Sequence, residues 1–131
     1  MAHKKDANDV AYILGRILSV MEVIHDLAAT EYMLPLRVRY QVDLEESTAV
    51  VFGFMVPLIE YESEDMCELY NGEREKALNR RLKKLLSLVD ESEYPRHLTD
   101  EMKVYFWRGY DHENSDREFE EKRRKEEKEN E

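Results

Sequence analysis

The stretch DVAYILGRILSVMEVIHDLAA, residues 9–29, decides the reading of the fold. Val10, Ile13, Leu14, Ile17, Leu18, Met21, Ile24, Leu27 and Ala28 recur at the i, i+3, i+4, i+7 spacing of one helix face. Ser19, Glu22 and Asp26 fall on the other side, which the pattern reads as wet. Asn8 or Asp9 serves as N-cap, and an acid in the first turn suits the helix dipole. A helix of this length with one apolar stripe needs partners to cover it, and the residues downstream must supply them.

Residues 73–90 supply a second amphipathic pattern. Leu78, Leu82, Leu85, Leu86 and Val89 share one face, after a turn signal at Asn71-Gly72. Thr99 caps a further helix that carries Met102, Tyr105, Phe106 and Trp107. Between these, AVVFGFMVPLIEY (49–61) reads as a very apolar helix from Thr48 to Glu64, with Pro57 inside it. A buried strand over 49–56 is its rival. Residues 43–48 read as a connector ending in a cap. Residues 31–42 fit either a short helix starting near Pro35 or a strand alternating through Leu36, Val38, Tyr40 and Val42; the helix is preferred because no clear strand exists to pair with it.

The expected fold is therefore all-α: a compact bundle of four to five helices over residues 1–112, with a charged C-terminal extension, helical or disordered, over 113–131. Residues 111–131 hold ten acids and six bases, and Phe119 is the one strongly apolar residue after Glu113.

Composition narrows the function. The chain has 131 residues, the length of one domain, and a net charge of −10. Free-standing nucleic-acid binders are usually basic, so such a role is disfavoured, although one basic face inside an assembly is not. No apolar run reaches the ~18 residues of a membrane span, and MAHKKDAND lacks the apolar stretch of a secretory signal. The single cysteine, Cys67, cannot form an internal disulfide and fits a reducing cytoplasm. His3, His25, His97 and His112 stand at no metal-ligand spacing, so neither a metal nor another cofactor is expected. His25 reads as a histidine at the edge of the core. No phosphate-binding glycine loop or nucleophile elbow is present, and the acidic pairs lie in connectors or on wet faces. No catalytic residue is expected.

The run REKALNRRLKK (74–84) stands apart, with six bases and one acid. Helical spacing sets Lys76, Arg80, Lys83 and Lys84 on a stripe opposite the leucines. Such a stripe follows a phosphate backbone without reading sequence; the plainer reading is an ordinary solvated face. Arg81 belongs to the same run, and Arg37, Arg39 and Tyr40 form a smaller set. Tyr105, Phe106, Trp107 and Tyr110 suit either base stacking or a core, and helical spacing favours the core.

Three blocks carry a resemblance. DVAYILGRILSVMEVI (9–24), RYQVDLEESTAVVF (39–52) and YPRHLTDEMKVYFWRGYDHE (94–113) resemble, in order and spacing, the C-terminal region of the type I-C CRISPR large subunit. In that family the region is also made separately as the small subunit of the Cascade surveillance complex. A chain starting at Met1, just before the first block, is similar to that separate product. The acidic stretch 42–47 replaces a small-residue segment, the proline before Val51-Phe52 is missing, and the tail after 113 has no counterpart. The resemblance implies an all-α, non-catalytic subunit of the cytoplasm that packs on backbone and large subunits with crRNA and on further copies of itself. It implies contacts to target and non-target DNA that stabilise the R-loop, sequence being read by the guide. Arg16, Arg39 and Tyr40 match family motif positions, as do Gly109, Tyr110 and His112; Arg16 and Arg39 then join the nucleic-acid or subunit contacts, while Tyr110 and His112 read equally as structural. An acidic helical interaction protein, such as a DNA mimic or adaptor, is the competing reading. A hydrolytic enzyme comes a distant third.

Overall fold

The first helix starts ahead of its apolar stripe: the Asp6 carboxylate accepts from Asn8 N–H at 2.8 Å and opens α1 (Ala7–Ala28). The cap is thus Asp6 rather than Asn8 or Asp9. The computed structural model describes residues 6–28 and 41–130. After α1 come α2 (Gln41–Glu46), α3 (Thr48–Tyr70), α4 (Glu73–Leu86), one 3₁₀ turn (Glu91–Glu93) and α5 (Asp100–Glu129). No strand occurs among the described residues, so the all-α expectation holds. Residues 31–40, with Arg37, Arg39 and Tyr40, lie outside the described residues.

α1 is the central helix. It packs on α5, α3 and α4. Its apolar stripe is buried from Val10 to Ile24 except for half-buried Ile13, while Leu27 and Ala28 at its end are exposed; Ala11, Gly15, Ser19, Val20 and His25 are buried as well. The wet side expected at Ser19 and Glu22 is instead an interface with α5. Ser19 Oγ donates to Asn114 Oδ1 at 2.6 Å, and the Tyr110 hydroxyl donates to Glu22. The open parts of α1 are its ends: Ala7 and Asp9 in the first turn, and the last turn from Asp26.

α1 and α5 run in the same direction and touch backbone to backbone. A Cβ on Gly15 would lie 1.8 Å from the Phe106 carbonyl oxygen; one on Gly109 would lie 2.0 Å from that of Tyr12. Both glycines are therefore required by proximity. With no side chain between them, the two helices come close enough for Cα–H groups to meet carbonyls.

The stretch 49–56 is helical, not a strand. α3 runs on through Pro57 to Tyr70 and buries Val51, Phe52, Met55, Val56 and Ile59 along one side. That stripe is helical in period. Phe52 is fully buried and meets Phe106 and Tyr94 edge-on, with ring centroids 6.1 and 6.0 Å away. The aromatic group on α5 is accordingly core rather than a stacking platform: Phe106 and Tyr110 are buried, and Trp107 packs against them.

The connector expected over 43–48 is α2 and the start of α3. Leu44 is fully buried, and the Thr48 hydroxyl donates back to the Leu44 carbonyl at 2.7 Å instead of capping a helix. α3 ends where the sequence signals a turn. Asn71 adopts a left-handed φ of 49°, and its N–H closes onto the Cys67 carbonyl. α4 begins at Glu73 and buries Leu78, Leu82 and Leu85. Thr99 caps α5 by accepting from Met102 N–H at 3.2 Å. α5 passes unbroken through residue 113; Glu113 is buried, and every residue from Glu118 to Asn130 is exposed.

Candidate nucleic-acid interface

The six bases of the α4 run look alike in sequence, and the fold separates them. Arg81 turns inward. Its Nε and Nη2 donate to the two oxygens of Glu113 at 2.9 and 2.7 Å, a two-pronged pair. Arg16 of α1 reaches the same carboxylate at 2.9 Å, Asp116 at 3.2 Å, and donates to the Tyr12 hydroxyl at 2.7 Å. Tyr12 in turn bonds His112 Nδ1 at 2.9 Å. Glu113 thus joins α1, α4 and α5 at a single carboxylate whose side chain is 5% exposed.

The electrostatics follow from that arrangement. Burial pushes the Glu113 carboxyl upward, but hydrogen bonds from Arg81 and then Arg16 outweigh it, and the group sits below its ordinary range. The hydrogen bond to Glu113 pulls Arg81 up, against partial burial. Burial lowers Arg16, and its bonds to Tyr12, Glu113 and Asp116 more than reverse this, so it too is raised. All three groups stay charged at neutral pH.

Of the remaining α4 bases, Arg74 lies 3.6 Å from Glu121 and Lys83 3.6 Å from Glu64, both pairs on the surface. Pairs of that kind are worth little. Lys76, Arg80 and Lys84 make no ion pair among the described residues, and Arg80 and Lys84 are exposed. The outer face of α4 therefore presents Lys76, Arg80, Lys83 and Lys84, as the spacing predicts. Arg16 and Arg81 both hold the buried Glu113 carboxylate, and Arg37 and Arg39 lie outside the described residues.

His25 is buried, with Nδ1 3.0 Å from Glu62. Sequence reasoning missed Glu113, which looks like one more acid of a charged tail. A signal was available: LGR (14–16) and GYDHE (109–113) both lie in the blocks that carry the resemblance. In space Gly15 meets Phe106 and Tyr110, Arg16 meets Glu113 and Tyr12 meets His112. The two ends of the resemblance meet face to face.

α3 carries an open apolar face as well. Val50, Phe54, Leu58 and Tyr61 are exposed at helical spacing. Among the described residues no helix is long and apolar enough to cross a membrane.

The fold and site define a small helical bundle that sets a basic face, on α4, on an acidic molecule. The family model described as CRISPR-associated protein (Cas_Csd1) matches residues 1–117. The chain belongs to that family. No curated protein shows significant similarity to it.

Proposed function

We propose that the chain is a non-catalytic small subunit of a type I-C CRISPR RNA-guided surveillance complex, and that it steadies the R-loop through the outer face of α4. The observation that carries this reading is the set Lys76, Arg80 and Lys84, cations outside any ion pair among the described residues, on the face of a helix whose other side is core. Membership of the family supplies the context. Contacts of this kind go to phosphates and need no base recognition, because the guide supplies sequence.

A net charge of −10 repels free DNA, so the isolated chain binds it poorly. Held in an assembly, the α4 face meets a strand already delivered by base pairing. The exposed apolar face of α3 supports such an assembly, since a row of this kind marks a surface that association buries. The cytoplasm is the compartment of this reading.

The experiment is a pull-down of the tagged chain from its native cells, with the co-purified RNA sequenced and the proteins identified. The reading expects crRNA together with backbone and large subunits. Recovery of a DNA-binding protein without crRNA, released by salt, would replace it with the acidic-mimic reading.

A further inference from the structure

Between α4 and the C-terminal half of α5 lies a groove of about 460 Å³. That volume is at the lower end of the roughly 300–1,000 Å³ of small-ligand sites. Its floor is apolar, formed by Val20, Ala77 and Leu78. Phe119 stands at its edge with 66% of its surface exposed. Phe119 and Arg124 lie beyond the last residue matched to the family, so this wall belongs to the chain's own extension.

The groove is lined by four arginines and four carboxylates, but their ion pairing is uneven. Its four carboxylates all have arginine partners: Glu113 with Arg16 and Arg81, Asp116 with Arg16, Glu120 with Arg123 and Glu121 with Arg74. Two lining arginines, Arg117 and Arg124, make no ion pair among the described residues. Arg117 is hydrogen-bonded by neutral groups alone. Its Nη2 donates to Ser19 Oγ at 2.9 Å and to Asn114 Oδ1 at 2.5 Å. Its Nη1 is buried with no acceptor. A buried donor left unsatisfied is costly, and an oxygen supplied from outside removes that cost.

We propose that this groove binds the C-terminal residue of a partner polypeptide, its carboxylate at Arg117 and Arg124 and its apolar side chain on the floor beside Phe119. One residue carries both the anion and the apolar group on a single Cα, which suits so small a groove. Charge selects against nucleic acid here. A strand would bring further phosphates to a molecule already at −10, along a stretch of helix whose five exposed acids, Glu118 to Glu127, offset its five exposed bases, Lys122 to Lys128. A single carboxylate meets the two unmatched arginines without that repulsion.

The test uses the full chain, labelled with nitrogen-15, and three probes: N-acetylphenylalanine, its carboxamide, and thymidine monophosphate. N-acetylphenylalanine is expected to shift the amide signals of Ala77, Leu78 and Phe119 saturably in the millimolar range. The uncharged carboxamide should bind about tenfold more weakly, for want of one charge-assisted hydrogen bond. Arg117→Gln should abolish the preference for the acid. Arg124→Gln, at an exposed position that folding does not need, should reduce it. Equal binding of acid and carboxamide, absence of shifts at the groove, or tighter binding of the nucleotide would each overturn the proposal.

Discussion

Replacing Glu113 with glutamine tests the internal architecture most sharply. The carboxylate accepts three guanidinium hydrogen bonds, at 2.9 Å from Arg16 and at 2.9 and 2.7 Å from Arg81. Hydrogen bonds to charged groups are worth about 1.5–3 kcal/mol each, and breaking a buried pair from one side costs about 3–5 kcal/mol. Two features reduce the upper figure. Arg16 keeps Asp116 and Tyr12, and the Arg16 and Arg81 side chains retain 18% and 35% exposure to water. The expected loss is therefore about 3 kcal/mol, which for a domain of this size lowers Tm by about 10 °C. Urea and thermal melts at neutral pH measure it. Arg81→Met leaves the carboxylate its Arg16 partner and should cost about 1–2 kcal/mol. The double variant should fall short of the sum by about 1–2 kcal/mol, since both substitutions remove the same ion pair. Additive losses, or a Glu113→Gln melt within about 2 °C of the parent, would refute the claim that one carboxylate ties three helices.

The same carboxyl predicts a pH effect: because its pKa is lowered by folding, its stabilisation is complete above the ordinary value of 4.5 and is lost as pH falls below it, so melts of the parent should weaken from there downward while Glu113→Gln shows a shallower slope. Gly15→Ala and Gly109→Ala drive a methyl into backbone and should leave little folded protein by circular dichroism, whereas Gly53→Ala, whose new methyl meets only the Glu91 side chain at 3.6 Å, should gain about 0.5–1 kcal/mol in urea melts. Thr99→Ala removes the α5 cap and should cost about 1 kcal/mol by the same melts, with the native circular-dichroism spectrum retained.

The bundle was legible because its helices obey a 3.6-residue period, and the misreadings have one physical origin. Hydrophobic periodicity separates apolar from polar faces, but it cannot tell water from a polar neighbour. Ser19 and Glu22 look wet, and they face Asn114, Arg117 and Tyr110 of α5. Glu113 looks like tail charge, and it is a buried acid that accepts from two arginines. α3 invites a strand reading because Gly53, its valines and Pro57 are poor helix formers. Burial of Phe52, Met55 and Ile59 along one side overrides that preference. The basic run was legible as a stripe, but six like charges carry no label for their partners. Neighbouring side chains on α5 and α3 select which of them stay unpaired, and those neighbours are far away along the chain.

The central claim concerns that surface. Reconstituting the proposed surveillance complex with the double variant Arg80→Glu and Lys84→Glu, and measuring R-loop formation on a matched duplex at several salt concentrations, tests it most directly. Both side chains are exposed and point away from the core, so folding and assembly should persist. The account predicts weaker R-loop formation, with a salt slope reduced by about one for each phosphate that the variant no longer neutralises. Unchanged R-loop yield and salt slope from an intact complex would contradict it.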